Sequence, residues 1–255
     1  MGLSLVEIAA LLILVFLVAL IYSSVGHGGA SGYLALLSFF SVPHEEMAMS
    51  ALRLNLLVAG MAFWTYRKAG HFSWSLTWPF LVTSVPAALI GGFLKISGTA
   101  YSLFLAGVLF YAALRLAFDF ETEKIPGNLK APSLKVALPV GGGVGVLSGL
   151  VGVGGGIFLS PLILLSKWAP PKETAAASAL FIFVNSLAGI FGRHFRQGFE
   201  LFLSPALGLM MAVAFLGGWA GSRLGARHFS GRGLKRILAL VLAAASLKLF
   251  LRGLG

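Results

Sequence analysis

Long apolar runs dominate the chain and restrict what it can fold into. A helix needs about 20 mostly apolar residues to cross the roughly 30 Å hydrocarbon core of a bilayer. Runs of about that length lie near 47–66, 72–94, 99–118, 174–192, 199–222 and 237–251. With 58% hydrophobic and 11% charged residues, the 255-residue chain lacks the charge that a water-facing shell requires. The sequence therefore predicts an all-α, polytopic membrane protein.

Two further apolar regions, 5–41 and 134–167, are too long for one simple crossing, and glycines interrupt both of them. The interruptions are Gly26-His27-Gly28-Gly29 and Gly152-Val153-Gly154-Gly155-Gly156. No Lys or Arg precedes the first region, so we do not expect a cleavable signal peptide. Non-helical backbone at membrane depth is tolerated only where protein or a water-filled cavity satisfies it. Both interruptions are therefore predicted to face protein or a cavity.

The two halves of the chain repeat each other. Residues 25–29 align with residues 151–155 at an offset of 126. The matches continue with Gly70 and Gly198, Pro79 and Pro205, and Gly91-Gly92 and Gly217-Gly218, while the offset stays between 126 and 128. This pattern indicates a duplication. It predicts a first transmembrane repeat at 1–118, a cytoplasmic linker at 119–133 and a second repeat at 134–255.

The distribution of Lys and Arg between loops predicts the topology, because cytoplasmic loops carry an excess of both. If each glycine-broken region counts as one crossing, the two sides carry nine and eight basic residues. If each region instead enters the membrane and returns to its starting side, the counts become twelve and five. The second arrangement predicts two inverted repeats in the inner membrane, each a broken helical hairpin plus three transmembrane helices. Both termini are then outside.

Small residues spaced four apart predict where helices pack closely. The glycines with this spacing are Gly141, Gly145 and Gly149, and Gly217, Gly221 and Gly225. Such spacing lets two backbones approach where lipid supplies no hydrophobic drive. We interpret these glycines as packing positions rather than as a ligand site.

The glycine breaks themselves predict an anion site. Half-helices at about 29–40 and 155–167 follow the breaks, and matched interruptions of this kind mark the binding site of many transporters. Their free N–H groups and positive dipole ends favour an anion, and glycine permits the backbone conformations required. The glycines predicted to bind substrate are Gly26, Gly28, Gly29, Gly152, Gly154, Gly155 and Gly156. The alternative is that they form only a tight packed turn.

Arg53 is a second pointer to an anion. It lies eight residues after Glu45, which places it about 12 Å along a helix that starts there. A cation near the middle of a membrane costs at least ~2.5 kcal/mol on insertion scales. The nearest acids in sequence are Glu45 and Glu46, two turns away, so a substrate anion is a candidate partner. The alternative is an arginine that reaches the surface or bonds backbone carbonyls.

Three more polar residues are candidates for the same site. His27 lies in the first break, opposite Val153 in the repeat, and could donate to an oxyanion, exchange a proton or serve as a structural donor. Asn55 and Asn185 lie within predicted spans. Each is predicted to contact the ligand, with a hydrogen bond between helices as the alternative.

Several chemistries are not expected. The chain has no cysteine, its five histidines form no spaced metal set, and neither nucleotide-binding glycine motif is complete. We therefore expect no enzyme activity, cofactor or metal. The net charge of +11 is spread between apolar stretches, which fits an anionic membrane surface rather than nucleic acid. The expected partners are the bilayer and a small anion, and the oligomeric state stays open, a homodimer included.

The strings around the two breaks also carry a family resemblance. IYSSVGHGGA at 21–30 and GLVGVGGG at 149–156 resemble the sulfite exporter TauE/SafE family, as do the residues through Pro161 and those at 175–178. The resemblance spans nearly the whole chain and includes the duplication. It implies an exporter of sulfite or a small organosulfonate, which membrane potential or an ion gradient could drive. An anion channel that uses the same glycine site is the alternative.

Overall fold

The computed structural model describes residues 5–40, 42–118, 132–198, 205–227 and 232–254. Within these ranges the chain forms ten α-helices and no strand, so the all-α prediction is confirmed. The helices of the first half are α1 Leu5–Ser23, α2 Ala30–Phe39, α3 His44–Lys68, α4 Trp74–Phe93 and α5 Gly98–Ala117. Those of the second half are α6 Leu134–Val151, α7 Gly156–Leu165, α8 Pro171–Gln197, α9 Pro205–Arg227 and α10 Arg232–Leu254.

Most of these helices have the length and composition of membrane spans. Among the described residues, seven helices are long and apolar enough to cross a bilayer: α1, α3, α4, α5, α6, α8 and α9. The last helix, α10, adds an apolar stretch at Leu242–Leu251. The protein is therefore a polytopic membrane protein. The start of the span predicted at 199–222, and the predicted linker up to residue 131, lie outside the described residues.

The glycine-broken regions form one long and one short helix each. The short helices, α2 and α7, have ten residues each. At 1.5 Å per residue they measure about 15 Å, which is half of a hydrocarbon core. The half-helices predicted at about 29–40 and 155–167 are therefore confirmed. The preceding helices α1 and α6 have 19 and 18 residues, so each is long enough to span the core by itself.

Closely spaced glycines join the long helices in pairs. On α6, a Cβ at Gly141, Gly145 or Gly149 would overlap the backbone oxygens of Phe80, Ser84 and Ala88 on α4, respectively. On α9, a Cβ at Gly217 or Gly221 would overlap the oxygens of Phe16 and Leu20 on α1, and a Cβ at Gly225 would overlap the oxygen of Ser24, which follows α1. The packing role predicted for these glycines is confirmed. In both pairs the residue numbers rise together, so the paired helices run parallel.

Equivalent helices of the two halves run in opposite directions where contacts define them. The start of α3 meets the end of α8 through Glu45 and Arg193, and their middles meet through Asn55 and Ser186. Likewise, Gly253 near the end of α10 lies against residues near the start of α5. Opposite directions are what inverted repeats require. These contacts support that arrangement, while the inversion, the sidedness of the linker and the outside termini stay predictions.

Candidate functional site

The two glycine breaks meet at the Asn55 side chain. Asn55 lies near the middle of α3 and is completely buried. A Cβ on Gly28 would overlap its Oδ1 atom, and a Cβ on Gly154 would lie 2.6 Å from its Nδ2 atom. Because both approaches are closer than a side chain allows, glycine is required at both positions. The amide of Asn55 therefore lies between the two breaks and contacts both of them.

Helix α8 closes the opposite side of this meeting point. A Cβ on Gly154 would lie 2.8 Å from Cγ2 of Ile182 and 3.0 Å from Oγ of Ser186, and a Cβ on Gly156 would also overlap Ile182. Ser186 is fully buried and Ile182 nearly so. Only the antiparallel packing of α3 and α8 brings Ile182 and Ser186 to the breaks, so the sequence alone predicts neither residue.

The hydrogen bonds of Asn55 fix the orientation of its amide. Nδ2 donates to the backbone oxygen of Val153 at 3.3 Å and to Oγ of Ser186 at 3.4 Å. A carbonyl oxygen can only accept, so the nitrogen must be the atom that faces the second break. The oxygen then faces the first break, beside Gly28. Oδ1 is buried and has no hydrogen-bond partner.

Both half-helices begin at this meeting point without a side-chain cap. Their N-cap residues are Gly29 and Gly155, whose φ angles of 95° and 82° lie in the left-handed region that favours glycine, and neither N-terminus has a side-chain hydrogen bond. The first turn of a helix has N–H groups with no partner inside the helix, and it carries partial positive charge. The two N-termini can therefore offer several backbone donors to one anion.

A buried residue that carries a hydroxyl lies beside each N-terminus. The Tyr33 hydroxyl oxygen would be 2.9 Å from a Cβ on Gly29, and Cβ of Ser148 would be 3.4 Å from a Cβ on Gly155. Both side chains are fully buried, and neither hydroxyl has a hydrogen-bond partner. Each can donate a hydrogen bond. Neither residue was predicted from the sequence, because neither belongs to a glycine motif.

His27 connects the first break to the second half of the chain. Its Nδ1 lies 3.0 Å from the backbone oxygen of Val25, so Nδ1 carries a proton and donates. Its Nε2 lies 3.0 Å from Oγ of Ser160 on α7. Ser160 also lies 2.9 Å from Oγ of Ser178 on α8 and donates to the backbone oxygen of Gly156. A continuous set of polar contacts therefore joins His27 to α7 and α8.

The remaining predicted residues lie at different distances from the breaks along their helices. Asn185 is fully buried next to Ser186, and its Nδ2 donates to the backbone oxygen of Phe181 at 2.8 Å within the same helix. Arg53 is half-buried and precedes Asn55 by two residues. Two residues correspond to about 200° around a helix, so Arg53 and Asn55 occupy different faces of α3.

Arg193 is the basic residue that the structure brings close to a break. It is 3% exposed, and its Nη2 donates to the backbone oxygens of Gly149 at 3.0 Å and Leu150 at 2.8 Å. The Tyr101 hydroxyl donates to the oxygen of Val151 at 3.0 Å. The last carbonyls of a helix have no partner inside it. Side chains therefore satisfy three of them at the end of α6, just before the second break.

The span predicted at 174–192 ends just before Arg193, but α8 continues to Gln197 and so includes this residue. Nη1 of Arg193 lies 3.2 Å from Oε2 of Glu45, and the same oxygen accepts from Arg196 at 2.5 Å and from Gln197 at 2.8 Å. Glu45, which the sequence places two turns from Arg53, thus pairs with the end of α8.

Comparisons with known proteins show the family of the chain. The family model for the sulfite exporter TauE/SafE matches residues 11–249. The probable membrane transporter protein y4hK of Sinorhizobium fredii is 32% identical over 245 residues, which cover 95% of this chain and 98% of that protein. The probable membrane transporter protein MJ0441 of Methanocaldococcus jannaschii is 25% identical over 189 residues, which cover 71% and 70%. No solved structure gives a significant match. The chain therefore belongs to the sulfite exporter TauE/SafE family of membrane transporters.

Proposed function

We propose that this protein exports a small sulfur oxyanion, sulfite or an organosulfonate, and that the anion binds where the two glycine breaks meet. One observation carries the proposal: two half-helix N-termini without side-chain caps converge beside Asn55. Each N-terminus offers backbone donors and about half a positive charge. Sulfite and sulfonate groups present several acceptor oxygens around one centre, so they can use donors from both halves at once.

The proposed site consists of the predicted residues around the breaks. From the first half it includes Gly26, His27, Gly28, Gly29 and Asn55, and from the second half Gly152, Gly154, Gly155, Gly156 and Asn185. Arg53 contributes positive potential from another face of α3, where it lies half-buried. Because a charge at partial burial is weakly screened, Arg53 can favour an anion without touching it.

The burial of the breaks supports a carrier rather than a channel. Residues 26–29 and 152–156 are buried except for His27, which is half-buried. An anion at this depth can reach water on either side only after the surrounding helices move. An inside-negative potential supplies about 2.3 kcal/mol per exported charge per 100 mV. That free energy supports a gradient on the order of forty-fold, so export needs no ATP.

Counterflow in proteoliposomes tests the proposed function. Vesicles containing purified protein are loaded with unlabelled sulfite, and radiolabelled sulfite is added outside. We expect a transient, saturable accumulation of label that competing organosulfonates reduce. A panel of sulfite, sulfate, sulfoacetate, taurine and thiosulfate then ranks the substrates. Label uptake equal to that of protein-free vesicles would contradict the proposal, and single-channel currents would establish the channel instead.

A matched pair of glycine variants links the transport to the breaks. Gly28→Val places a branched side chain against Asn55, so we expect at least a tenfold loss of counterflow. Gly143→Ala is the control, because a Cβ at Gly143 on α6 meets nothing within 4 Å. We expect this control to transport at the wild-type rate. Equal loss in both variants would show that the assay reports folding rather than the site.

A further inference from the structure

We propose that the anion bound most tightly carries one hydrogen-bond donor of its own, which Oδ1 of Asn55 accepts, and that a sulfonate without such a donor is a weaker substrate. The site would then select a singly charged anion with a protonated oxygen over an anion of the same shape that has none. This inference rests on the proposed function, because it describes the same site.

The hydrogen bonds of Asn55 hold its Oδ1 atom in one direction. Its Nδ2 is committed to the Val153 oxygen and to Ser186, which are residues of the second half. The amide therefore cannot turn over without placing Oδ1 against the Val153 oxygen, where two acceptors would repel each other. Oδ1 is held towards Gly28 in the first break.

The Oδ1 atom of Asn55 is a buried acceptor without a donor. Asn55 is 0% exposed, and its Oδ1 has no hydrogen-bond partner. Buried polar atoms are nearly always paired, and leaving one unpaired destabilises the fold. An acceptor that is held in place and unpaired between two breaks is therefore suited to a donor on a ligand.

The groups around this acceptor are hydrogen-bond donors. The first-turn N–H groups of α2 and α7 donate, and the buried hydroxyls of Tyr33 and Ser148 can also donate. These groups match the acceptor oxygens of an anion. A fully deprotonated dianion would have to place one of its lone pairs against Oδ1. A protonated monoanion such as hydrogen sulfite instead offers acceptors to the donors and its O–H to Asn55.

Two inhibitors of equal shape and charge test this inference. Methanesulfonate and singly protonated methylphosphonate are both tetrahedral monoanions at mildly acidic pH, but only methylphosphonate has an O–H. We expect methylphosphonate to inhibit sulfite counterflow about tenfold more strongly, as one buried hydrogen bond allows. Equal inhibition, or stronger inhibition by methanesulfonate, would overturn the inference. The proposed function would stand if sulfite counterflow persisted.

The Asn55→Leu variant assigns the preference to Oδ1. Leucine keeps the approximate volume but lacks the acceptor, so the inhibition ratio should fall to about one. Ser246→Ala is the control, since it removes a buried hydrogen bond of 2.8 Å to the Ala106 oxygen at the contact of α10 with α5. The control should keep the wild-type ratio. An unchanged ratio in Asn55→Leu would overturn the assignment.

A second measurement uses only the wild-type protein, so it tests the inference even if the Asn55→Leu protein fails to fold. When the pH is raised, methylphosphonate loses its O–H and becomes a dianion, while methanesulfonate stays unchanged. We expect inhibition by methylphosphonate to fall at least tenfold relative to that by methanesulfonate in the wild-type protein. Because methanesulfonate reports any titration of the protein itself, a constant ratio across pH would overturn the inference.

Discussion

The two glycine breaks share a left-handed backbone conformation at two matched positions but are held in place by different side chains. Gly26 and Gly152 have φ angles of 76° and 88°, and Gly29 and Gly155 have φ angles of 95° and 82°. At the first break, the end of α1 accepts from the Tyr66 hydroxyl, which donates to the Ser24 oxygen at 2.8 Å. At the second, Arg193 and Tyr101 satisfy three carbonyls at the end of α6.

Tyr66 and Arg193 occupy matching places in the two halves. They lie 127 residues apart, within the repeat's own offset, and each donates to the end of the long helix that precedes a break. Charged donors form hydrogen bonds roughly twice as strong as neutral ones. The left-handed glycine positions were therefore retained after duplication, while the side chains that donate to the end of the preceding helix diverged. We expect the second break to be the more firmly fixed of the two.

Removing Arg193 should have the largest effect on stability. Arg193→Met leaves the Gly149 and Leu150 oxygens without donors, and each buried polar group left unpaired costs about 1–3 kcal/mol. It also removes the contact with Glu45, but that side chain is 47% exposed and keeps Arg196 and Gln197, so this loss adds little. Arg193→Lys should lose less, because it keeps the charge but cannot bridge two carbonyls and a carboxylate. Thermal denaturation in detergent measures both variants. If Arg193→Met melted at the wild-type temperature, Arg193 would not fix the second break more firmly than Tyr66 fixes the first.

Alanine in either break should stop transport but should not destabilise both breaks equally. Gly154→Ala meets the Asn55 amide and also needs a positive φ, which is 75° at this position. That conformation costs a residue with a Cβ roughly 1–2 kcal/mol. Gly28→Ala meets the same amide without this strain. We expect at least a tenfold loss of counterflow in both and a lower melting temperature in Gly154→Ala.

Gly107→Ala is the control for this pair, because a Cβ at Gly107 on α5 meets nothing within 4 Å. It should transport normally and melt at or above the wild-type temperature. If Gly28→Ala and Gly154→Ala also transported at the wild-type rate, the anion would have to bind away from the breaks.

Tyr66→Phe should destabilise the protein less than Arg193→Met does. It removes one neutral hydrogen bond to the Ser24 oxygen and leaves the ring in place, which costs about 1 kcal/mol. The same thermal denaturation assay applies, with Tyr101→Phe as the matched variant at the second break. A loss in Tyr66→Phe as large as that in Arg193→Met would mean that the first break is held as firmly as the second.

The sequence predicted the elements of this fold better than the contacts between them. Apolar length and the glycine interruptions set the helices, and both half-helices fall within two residues of their predicted bounds. Spacing also predicted the close packing of α6 on α4, since Gly141, Gly145 and Gly149 lie on one face. These are local properties of a helix, so a single sequence reveals them.

The contacts at the site depend on how the two halves pack. Ile182 and Ser186 reach the breaks only because α8 lies antiparallel to α3, and no motif in the sequence marks that register. Arg193 turns inward because the end of α6 needs donors, which is a tertiary requirement. Asn55 was predicted as a polar residue within a span, but its place between Gly28 and Gly154 follows only from the packing.

His27→Gln should have the smallest effect on transport, and it sharpens the comparison because the second break has Val153 at the matching position. Nδ1 of His27 donates to the Val25 oxygen whether or not the ring is charged. Ser160 has one proton, so a neutral ring can accept from it only when that proton leaves the Gly156 oxygen, whereas a protonated ring donates to Ser160 while Ser160 donates to Gly156. The ring can therefore gain a proton without losing a hydrogen bond. Losing one contact to glutamine should slow counterflow about two- to tenfold.

The pH dependence separates the two roles of His27. A protonated ring adds positive charge beside the site, so transport of an anion should be faster below the pH at which the ring ionises and slower above it. Methanesulfonate keeps its charge across this range, and the Tyr22 ring, 6.3 Å away, belongs to a residue type that ionises only at higher pH. We expect labelled methanesulfonate counterflow to depend on pH in the wild type and to be flat in His27→Gln. An identical profile in both proteins would assign His27 to structure, because the first break would then hold its anion without using a proton.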